Sequence, residues 1–210
     1  YLNATSFYEG IKIAFFAYHI YLMLIKLYPE NPNPRYIRQI IDTLKSGGVI
    51  IYPTDTIYGI GCYALDDNLV KKIKDIKKRD SSKPLSVIVD KKWIKDNCFT
   101  NKMINFYLKK LPGKYTLILR LKNKKAISKE VNNDSDTVGV RIPNKSFTKR
   151  LPIPFVTTSV NVSGEPPITD TSQISSDIRN KVDLIVEGGT LNNKPSKVYD
   201  LTKDKPIRLR

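Results

Sequence analysis

Short apolar runs that end in polar turns recur through most of the sequence, and they constrain the fold more than any other feature. Their length and β-branched content predict strands, and the segments between them have the apolar spacing of amphipathic helices. Because strands and helices mix without strict βαβ alternation, we expect one α/β domain with a mixed sheet rather than a Rossmann fold. The strand-like runs are 49–52, 85–89, 115–121, 138–142, 155–158, 184–186 and 197–201.

The helical segments carry recognisable start and stop signals. Asn33 is a candidate N-cap with Pro34 at the first helical position, and Gly47 with Gly48 is expected to end that helix. Residues 66–68 offer caps for a second helix. The other helical patterns lie around Trp93 and at 102–110, 146–151 and 174–181.

Composition excludes several classes of site. The chain of 210 residues has a single histidine, His19, so a Ser-His-Asp triad, a Cys-His pair or a multi-histidine zinc site would have to be built around that residue. The only cysteines, Cys62 and Cys98, show no metal-type spacing, and we predict no protein metal site. So few cysteines are typical of a reducing compartment, which predicts a cytoplasmic protein.

Basic residues outnumber acidic residues by a wide margin. The sequence has 36 Lys and Arg against 20 Asp and Glu, a formal net charge of +16. This excess has two interpretations, a solvated lysine-rich surface or attraction to polyanions such as nucleotides and RNA. Charge alone does not choose between them.

An apolar segment at 13–25 precedes the regular pattern. Its length of 13 residues is below the roughly 20 residues that a membrane-spanning helix needs, so we expect no membrane anchor. A signal peptide is disfavoured because no small-residue cleavage site follows. The alternatives are a loosely docked helix, or an upstream read-through with Met23 as the natural start. We therefore treat 1–31 as an N-terminal extension and 32–210 as the domain.

Polar turns follow several of the predicted strands, where α/β proteins usually place ligand-binding groups. The sequence has neither the glycine fingerprint of dinucleotide sites nor a Walker-type phosphate loop, and each turn alone is compatible with an ordinary surface loop. Arg141 differs because its apolar surroundings demand a partner, either a bound carboxylate or phosphate or an internal Asp or Glu. The turns are 53–56, 77–79 with 83–84, 139–143, 157–164 and 194–196.

In this order, the motifs resemble those of the YrdC/TsaC family, the threonylcarbamoyl-adenylate synthases of tRNA modification. The resemblance covers residues 32–210. It implies a single-domain YrdC-like α/β fold, a twisted mixed sheet with flanking helices and a large basic concave cavity. The residues that carry it are 50–59, Lys77 with Arg79, 83–85, Pro112 and Gly113 with Thr116, 137–143, Ser159 with Asn161, Ser163 and Gly164, and Pro195 with Ser196.

The resemblance also implies an activity. Such an enzyme joins L-threonine, bicarbonate or CO2 and ATP into threonylcarbamoyl-AMP and pyrophosphate, with Mg²⁺ held mainly by the ATP phosphates. The product would pass to a downstream threonylcarbamoyl transferase that modifies tRNA beside the anticodon (t6A). Two alternatives stay open: a non-catalytic module that binds double-stranded RNA or tRNA, and a carbamoyl-transfer domain that acts on another acceptor.

The resemblance assigns roles to basic and hydroxyl side chains. Arg141 suits a bidentate grip on the threonine carboxylate. The catalytic candidates are Lys77, Arg79 and Arg141. The ATP-binding candidates are Lys77, Arg79, Lys83, Thr137, Ser159, Asn161 and Arg210, and the threonine-binding candidates are Thr56, Arg141, Thr157 and Ser196.

Three positions depart from the family pattern, namely Lys114, Val160 and Lys197. Lys197 matters most because it directly follows Ser196, where the family generally has threonine. A lysine at this position is expected either to add a phosphate contact or to distort the threonine pocket.

Overall fold

The computed structural model describes residues 24–27, 32–80 and 82–210. Its strands are β1 (Leu24–Lys26), β2 (Ile50–Pro53), β3 (Tyr58–Gly61), β4 (Ser86–Ile88), β5 (Tyr115–Arg120), β6 (Thr137–Arg141), β7 (Phe155–Ser159), β8 (Leu184–Glu187), β9 (Lys197–Asp200) and β10 (Ile207–Arg208). Its α-helices are α1 (Pro34–Lys45), α2 (Asp67–Ile76), α3 (Lys91–Asn97), α4 (Lys102–Leu108), α5 (Lys129–Asn132) and α6 (Ser176–Arg179).

The described strands form one mixed sheet in the order β1-β8-β2-β3-β7-β4-β6-β5-β9-β10. β8 pairs in parallel with β1 and β2, and so do β4 with β6 and β5 with β9. The pairs β2–β3, β3–β7, β7–β4, β6–β5 and β9–β10 are antiparallel. The predicted mixed sheet is therefore confirmed.

The first two helices begin where the sequence predicts. The Asn33 side chain accepts a hydrogen bond from the Arg35 backbone N–H at 2.9 Å, and Pro34 opens α1. Gly47 follows the helix with a φ of +81°, a backbone region that glycine enters at little cost. Asp66 caps α2 through the N–H groups of the next turn. Two predicted helical runs are shorter than expected, because 146–151 contains only a 3₁₀ turn at Phe147–Arg150 and 174–181 contains only α6.

Strands β1, β3 and β10 are absent from the predictions. β3 carries two glycines, which disfavour a strand in isolation. In the sheet, however, a Cβ atom on Gly61 would lie 2.0 Å from the Val156 carbonyl oxygen, so the close approach of β7 requires glycine there. The missed strand therefore reflects a tertiary contact, which local propensity does not report.

The structure differs from the sequence-based prediction at the C-terminal end of the apolar segment 13–25. Leu24 and Ile25 lie in β1, parallel to β8, so the helix alternative is wrong for these two residues. Ile25 and Leu27 are buried, and both pack in the apolar core that α1 covers. The rest of the apolar run, at 13–23, lies outside the described residues.

The sheet separates two apolar cores, since successive strand residues point to opposite faces. On one face α1 packs over β1, β8 and β2, with Ile40 and Leu44 against Ile50 and Tyr52. On the other face the helices α2, α3 and α4 cover the larger core. On the first face, α1 lies over β1, β8 and β2. The candidate site opens on the rest of that face, which is formed by β7, β4, β6, β5 and β9.

Both cysteines lie inside the protein as free thiols. Burial raises the pKa of Cys98 to about 12 and also raises the pKa of Cys62, so both thiols are protonated at neutral pH. The described residues contain no group of three or more His, Cys, Asp or Glu side chains placed to hold a metal ion. None of the described helices has the length and apolar character needed to cross a membrane.

Candidate active site

A cavity of about 240 Å³ opens on the face of the sheet beyond α1. Among the described residues that line it there are three arginines and several hydroxyl side chains but no acidic side chain. Burial lowers the pKa of all three guanidinium groups, which still keep their charge because the ordinary pKa of arginine is above about 12. Six predicted site residues line the cavity: Arg79, Arg141, Thr157, Ser159, Ser196 and Arg210.

Arg141, at the end of β6, is held by the turn between β2 and β3. Its Nη2 donates to Asp55 Oδ1 at 2.9 Å and to Thr56 Oγ1 at 3.2 Å. The second carboxylate oxygen of Asp55 accepts from the Asn144 backbone N–H at 2.9 Å. Thr56 is in turn paired with Thr54 through their hydroxyl oxygens at 2.9 Å. The internal ion pair that the sequence left open as an alternative is therefore present.

This arrangement leaves Arg141 partly unsatisfied. The residue is only 8% exposed, and its Nε is buried with no hydrogen-bond partner among the described residues. Nη2 already donates both of its hydrogens, one to Asp55 and one to Thr56. The two guanidinium edges that can offer a pair of parallel donors both include Nη2. The bidentate grip on a carboxylate that the sequence predicts is therefore not free. A carboxylate entering the cavity meets a fixed positive charge whose free donors are on Nε and Nη1, which do not point in parallel.

Lys77 lies behind the cavity wall rather than in it. It is 2% exposed, and its Nζ donates to the Ser159 carbonyl, to the Asn161 carbonyl at 2.8 Å and to Asn161 Oδ1 at 3.1 Å. Burial, and then the charge of Arg79, lower the pKa of Lys77 to about 8. The ammonium group thus holds the loop that follows β7, and Ser159 Oγ donates to the same Asn161 oxygen.

Arg79 reaches the cavity because two carbonyls fix its side chain. Its Nε donates to the Lys83 carbonyl at 3.1 Å and its Nη2 to the Pro84 carbonyl at 2.9 Å. Lys83 therefore contributes a backbone oxygen, while its exposed side chain is not among the lining residues. The basic motif at 77–84 therefore contains one buried cation, one cation that lines the cavity and two exposed cations, Lys78 and Lys83.

Hydroxyl groups on β7, on β5 and directly before β9 complete the wall. Tyr52 Oη donates to Thr157 Oγ1 at 2.6 Å, and burial raises the pKa of Tyr52, which keeps the phenol protonated. Ser196 Oγ pairs with Thr116 Oγ1 at 2.8 Å. Arg210 holds Ser196 through Nε to its carbonyl at 3.0 Å and Nη2 to its Oγ at 3.3 Å. The chain end is thereby placed beside the cavity.

The remaining predicted residues lie outside the cavity lining. Thr56 is buried behind Arg141, and the Asn161 amide donates to the carbonyls of Val162 and Glu165 within its own loop. Thr137, at the start of β6, pairs with Ser135 through their hydroxyl oxygens at 3.0 Å. The roles assigned to all of these residues stay predictions.

Three residues that support the site are absent from the predicted set: Tyr52, Asp55 and Thr116. Asp55 and Thr116 fall inside the motifs, but a carboxylate in a polar turn is usually interpreted as bonding its own backbone. The sequence indicates only that Tyr52 is an apolar residue of a predicted strand. Their contacts join positions 86, 80 and 105 residues apart in the chain, so no local signal identifies them.

Lys197, the departure expected to disturb the threonine pocket, points away from the cavity. Ser196 and Val198 line the cavity, and the alternation of a strand turns Lys197 to the opposite face. Its Nζ lies 5.9 Å from the centre of the Tyr115 ring. For the activity that the resemblance implies, replacement by threonine, Lys197→Thr, is therefore expected to change the KM for L-threonine by less than about tenfold, as measured by pyrophosphate release. A larger change would mean that Lys197 belongs to the site.

Comparison with protein families gives a match over most of the chain. The family model Sua5/YciO/YrdC, which is described as telomere recombination, matches residues 42–210. A protein of Methanocaldococcus jannaschii, provisionally named threonylcarbamoyl-AMP synthase, is 35% identical over 195 residues, which are 89% of this chain and 91% of that protein. The uncharacterized protein YciO of Escherichia coli is 31% identical over 191 residues, 88% of this chain and 92% of YciO.

Solved structures show the same fold. The structure of E. coli YciO has a TM-score of 0.80 at 29% identity and covers 89% of this chain and 94% of that chain. Sua5 of P. abyssi complexed with L-threonine has a TM-score of 0.82 at 28% identity. The match covers 89% of this chain but 56% of the P. abyssi chain, so the present chain spans little more than half of that relative.

Proposed function

Because the chain belongs to the Sua5/YciO/YrdC family, we propose that it is an L-threonylcarbamoyladenylate synthase. The observation that carries this proposal is a cavity with three arginines and no acidic lining residue among those described. Such a wall favours a polyanion together with a carboxylate. The relative named as a synthase and the Sua5 structure with bound threonine support the same activity.

The proposed reaction has two steps that balance without a protein nucleophile. The threonine amine adds to bicarbonate or CO2 to give a carbamate, with loss of water in the bicarbonate case and of a proton to solvent in the CO2 case. A carbamate oxygen then attacks the α-phosphorus of ATP, and pyrophosphate leaves with the electron pair of the broken P–O bond. Such chemistry depends on alignment and on neutralisation of charge.

In this proposal, one group of cavity residues binds ATP and another group binds threonine. Arg79, Ser159 and Arg210 face the ATP phosphates, while Arg141, Thr157 and Ser196 hold threonine. Lys77, Asn161 and Thr56 act from behind the wall by fixing the residues that touch substrate. Lys83 and Thr137 are the weakest of the proposed ATP contacts, because neither side chain lines the cavity.

Mg²⁺ is expected to enter on the nucleotide. No carboxylate among the described residues lines the cavity, and oxygen ligands are what Mg²⁺ prefers. The ATP phosphates would therefore supply the ligands in this proposal, and a bound Mg²⁺ would offset part of their negative charge. The product would pass, in the cytoplasm, to a transferase that modifies tRNA to t6A.

Pyrophosphate release is expected to require ATP, L-threonine and bicarbonate together, because the carbamate must form before the α-phosphorus is attacked. The measurement is a coupled pyrophosphate assay with each substrate omitted in turn, followed by the mass of the adenylate product. L-valine, which has the shape of threonine without its hydroxyl, is the matched control and should support less release. If pyrophosphate is released at the same rate without threonine, the proposed function is wrong.

The same assay separates the two alternatives that the sequence left open. A non-catalytic RNA-binding module would bind duplex RNA in a salt-dependent manner but release no pyrophosphate. A carbamoyl-transfer domain would release pyrophosphate with a carbamoyl donor and without threonine. Neither has a specific observation in the cavity that favours it over the synthase.

A further inference from the structure

A second surface of aromatic and lysine side chains lies on the face of the sheet opposite the cavity. It is formed by α4, β5 and β9, and we define the aromatic–lysine surface as Phe106, Tyr107, Lys110, Tyr115, Lys197 and Tyr199. Ring centroids are 5.7 Å apart for Phe106 and Tyr107, 5.0 Å for Tyr107 and Tyr199, and 6.2 Å for Tyr115 and Tyr199. The rings are therefore contiguous, and Phe106 is 60% exposed.

The two lysines of this surface lie against the rings. Lys110 Nζ is 5.3 Å from the centre of the Phe106 ring and 5.7 Å from that of Tyr115, and Lys197 Nζ is 5.9 Å from the Tyr115 ring. The segment 97–129, which contains α4 and β5, has nine Lys and Arg and no Asp or Glu. Positive charge thus surrounds aromatic faces that the core leaves partly uncovered.

A recess of about 520 Å³ adjoins Tyr115. Besides that ring, it is lined by Lys114, Asn193, Lys194, Pro195 and Lys197. The Lys114 ammonium donates to Asn193 Oδ1 at 2.6 Å, which leaves the Asn193 amide nitrogen as a donor in the lining of the recess. The recess thus combines an aromatic ring, an amide and three lysines. A planar ligand group that forms hydrogen bonds and carries an attached anion fits such a recess.

We propose that the aromatic–lysine surface and the adjoining recess bind single-stranded nucleic acid. Aromatic rings stack on bases of any sequence, and lysines follow the phosphate backbone. A duplex is disfavoured because its bases are stacked on one another and do not reach a ring on the protein surface. A lipid surface is disfavoured because charged side chains interrupt the rings. The proposal does not depend on the synthase activity, since none of the defining residues lines the main cavity.

The test is fluorescence polarisation with labelled 12-nucleotide oligouridylate, oligothymidylate and a hairpin RNA duplex at two salt concentrations. Phe106→Leu and Tyr115→Leu remove a ring while keeping apolar volume, and each is expected to weaken single-strand binding about fivefold or more. Lys110→Gln with Lys197→Gln is expected to reduce the salt slope by about 1.4, since each phosphate contact on a single strand contributes about 0.7.

Matched variants elsewhere provide the controls. Phe99→Leu changes a ring that is 56% exposed outside this surface, and Lys45→Gln changes an exposed lysine on α1; both are expected to bind as the parent protein does. Oligouridylate and oligothymidylate differ in the sugar and in the methyl group of the base, and a preference for either supports the proposal. Tighter binding of the duplex, equal losses in Phe106→Leu and Phe99→Leu, or full competition by polyglutamate would overturn it. Because Phe106 is exposed, its variant remains informative if Tyr115→Leu fails to fold.

Discussion

Replacement of Arg141 by alanine is expected to abolish threonine-dependent pyrophosphate release, with a loss of about 100-fold or more in kcat/KM for threonine. In the proposed function, this guanidinium is the fixed positive charge that meets the threonine carboxylate. Its orientation is set by Asp55 and Thr56, which leave Nε without a partner among the described residues. The measurement is the pyrophosphate assay over a range of threonine concentrations, with urea unfolding as a check on the fold.

The single variant also leaves Asp55 buried without its counter-ion, and breaking a buried pair costs about 3–5 kcal/mol of stability. The double variant Arg141→Ala with Asp55→Asn removes both charges, and the amide oxygen it introduces can still accept from Asn144. We expect the double variant to recover stability but not activity. If it instead has the threonine KM of the parent protein, Arg141 serves the fold alone and the proposed threonine contact is wrong.

Replacement of Lys77 by methionine is expected to raise the KM for ATP by about tenfold or more, and to change the threonine KM much less. The methionine side chain keeps the apolar stem but loses every donor to the Ser159 and Asn161 oxygens. Each buried acceptor left without a partner costs about 1–3 kcal/mol, so the loop after β7 is expected to shift and the protein to lose stability. The measurements are both KM values and urea unfolding.

Lys72 provides the matched control, because it lies on α2, the helix that ends directly before Lys77, and its Nζ forms a half-exposed ion pair with Asp183 at 3.1 Å. Lys72→Met is expected to cost less than about 1 kcal/mol and to leave both KM values unchanged. Lys77 also predicts a pH dependence. Since the pKa of Lys77 is about 8, ATP binding by the parent protein should weaken above that pH as the ammonium loses its proton. An ATP KM in Lys77→Met equal to that of the parent protein would rule out the positioning role.

The helices show how far local sequence signals reach. Asn33, Pro34 and Asp66 act through hydrogen bonds within one turn, so their predicted caps match the structure. β3 shows the opposite case. Its glycines are unfavourable for a strand locally, yet Gly61 is required by a carbonyl oxygen of β7 that lies 95 residues away in the chain. A requirement for glycine that comes from a distant strand cannot be predicted from the local sequence, because the contact exists only in the assembled sheet.

The candidate site shows the same division. The resemblance to a known family identified the three arginines that line the cavity and three of its hydroxyls, Thr157, Ser159 and Ser196. It did not distinguish Lys77, whose ammonium is turned inward, from Arg79, whose guanidinium reaches the cavity. The two residues are neighbours on one turn, and only the position of the loop after β7 separates their surroundings.

Amino-acid patterns alone were enough to predict the class of fold, most of the strands and helix starts, the basic character of the site and the family. These properties depend on residue type, spacing and order, which are local quantities. Only the tertiary structure decided that Asp55 and Thr56 occupy Nη2 of Arg141, that Lys77 supports the wall, and that Lys197 faces away from the cavity. The physical reason is that hydrogen bonding and burial join residues from different strands, and the sheet sets their distances.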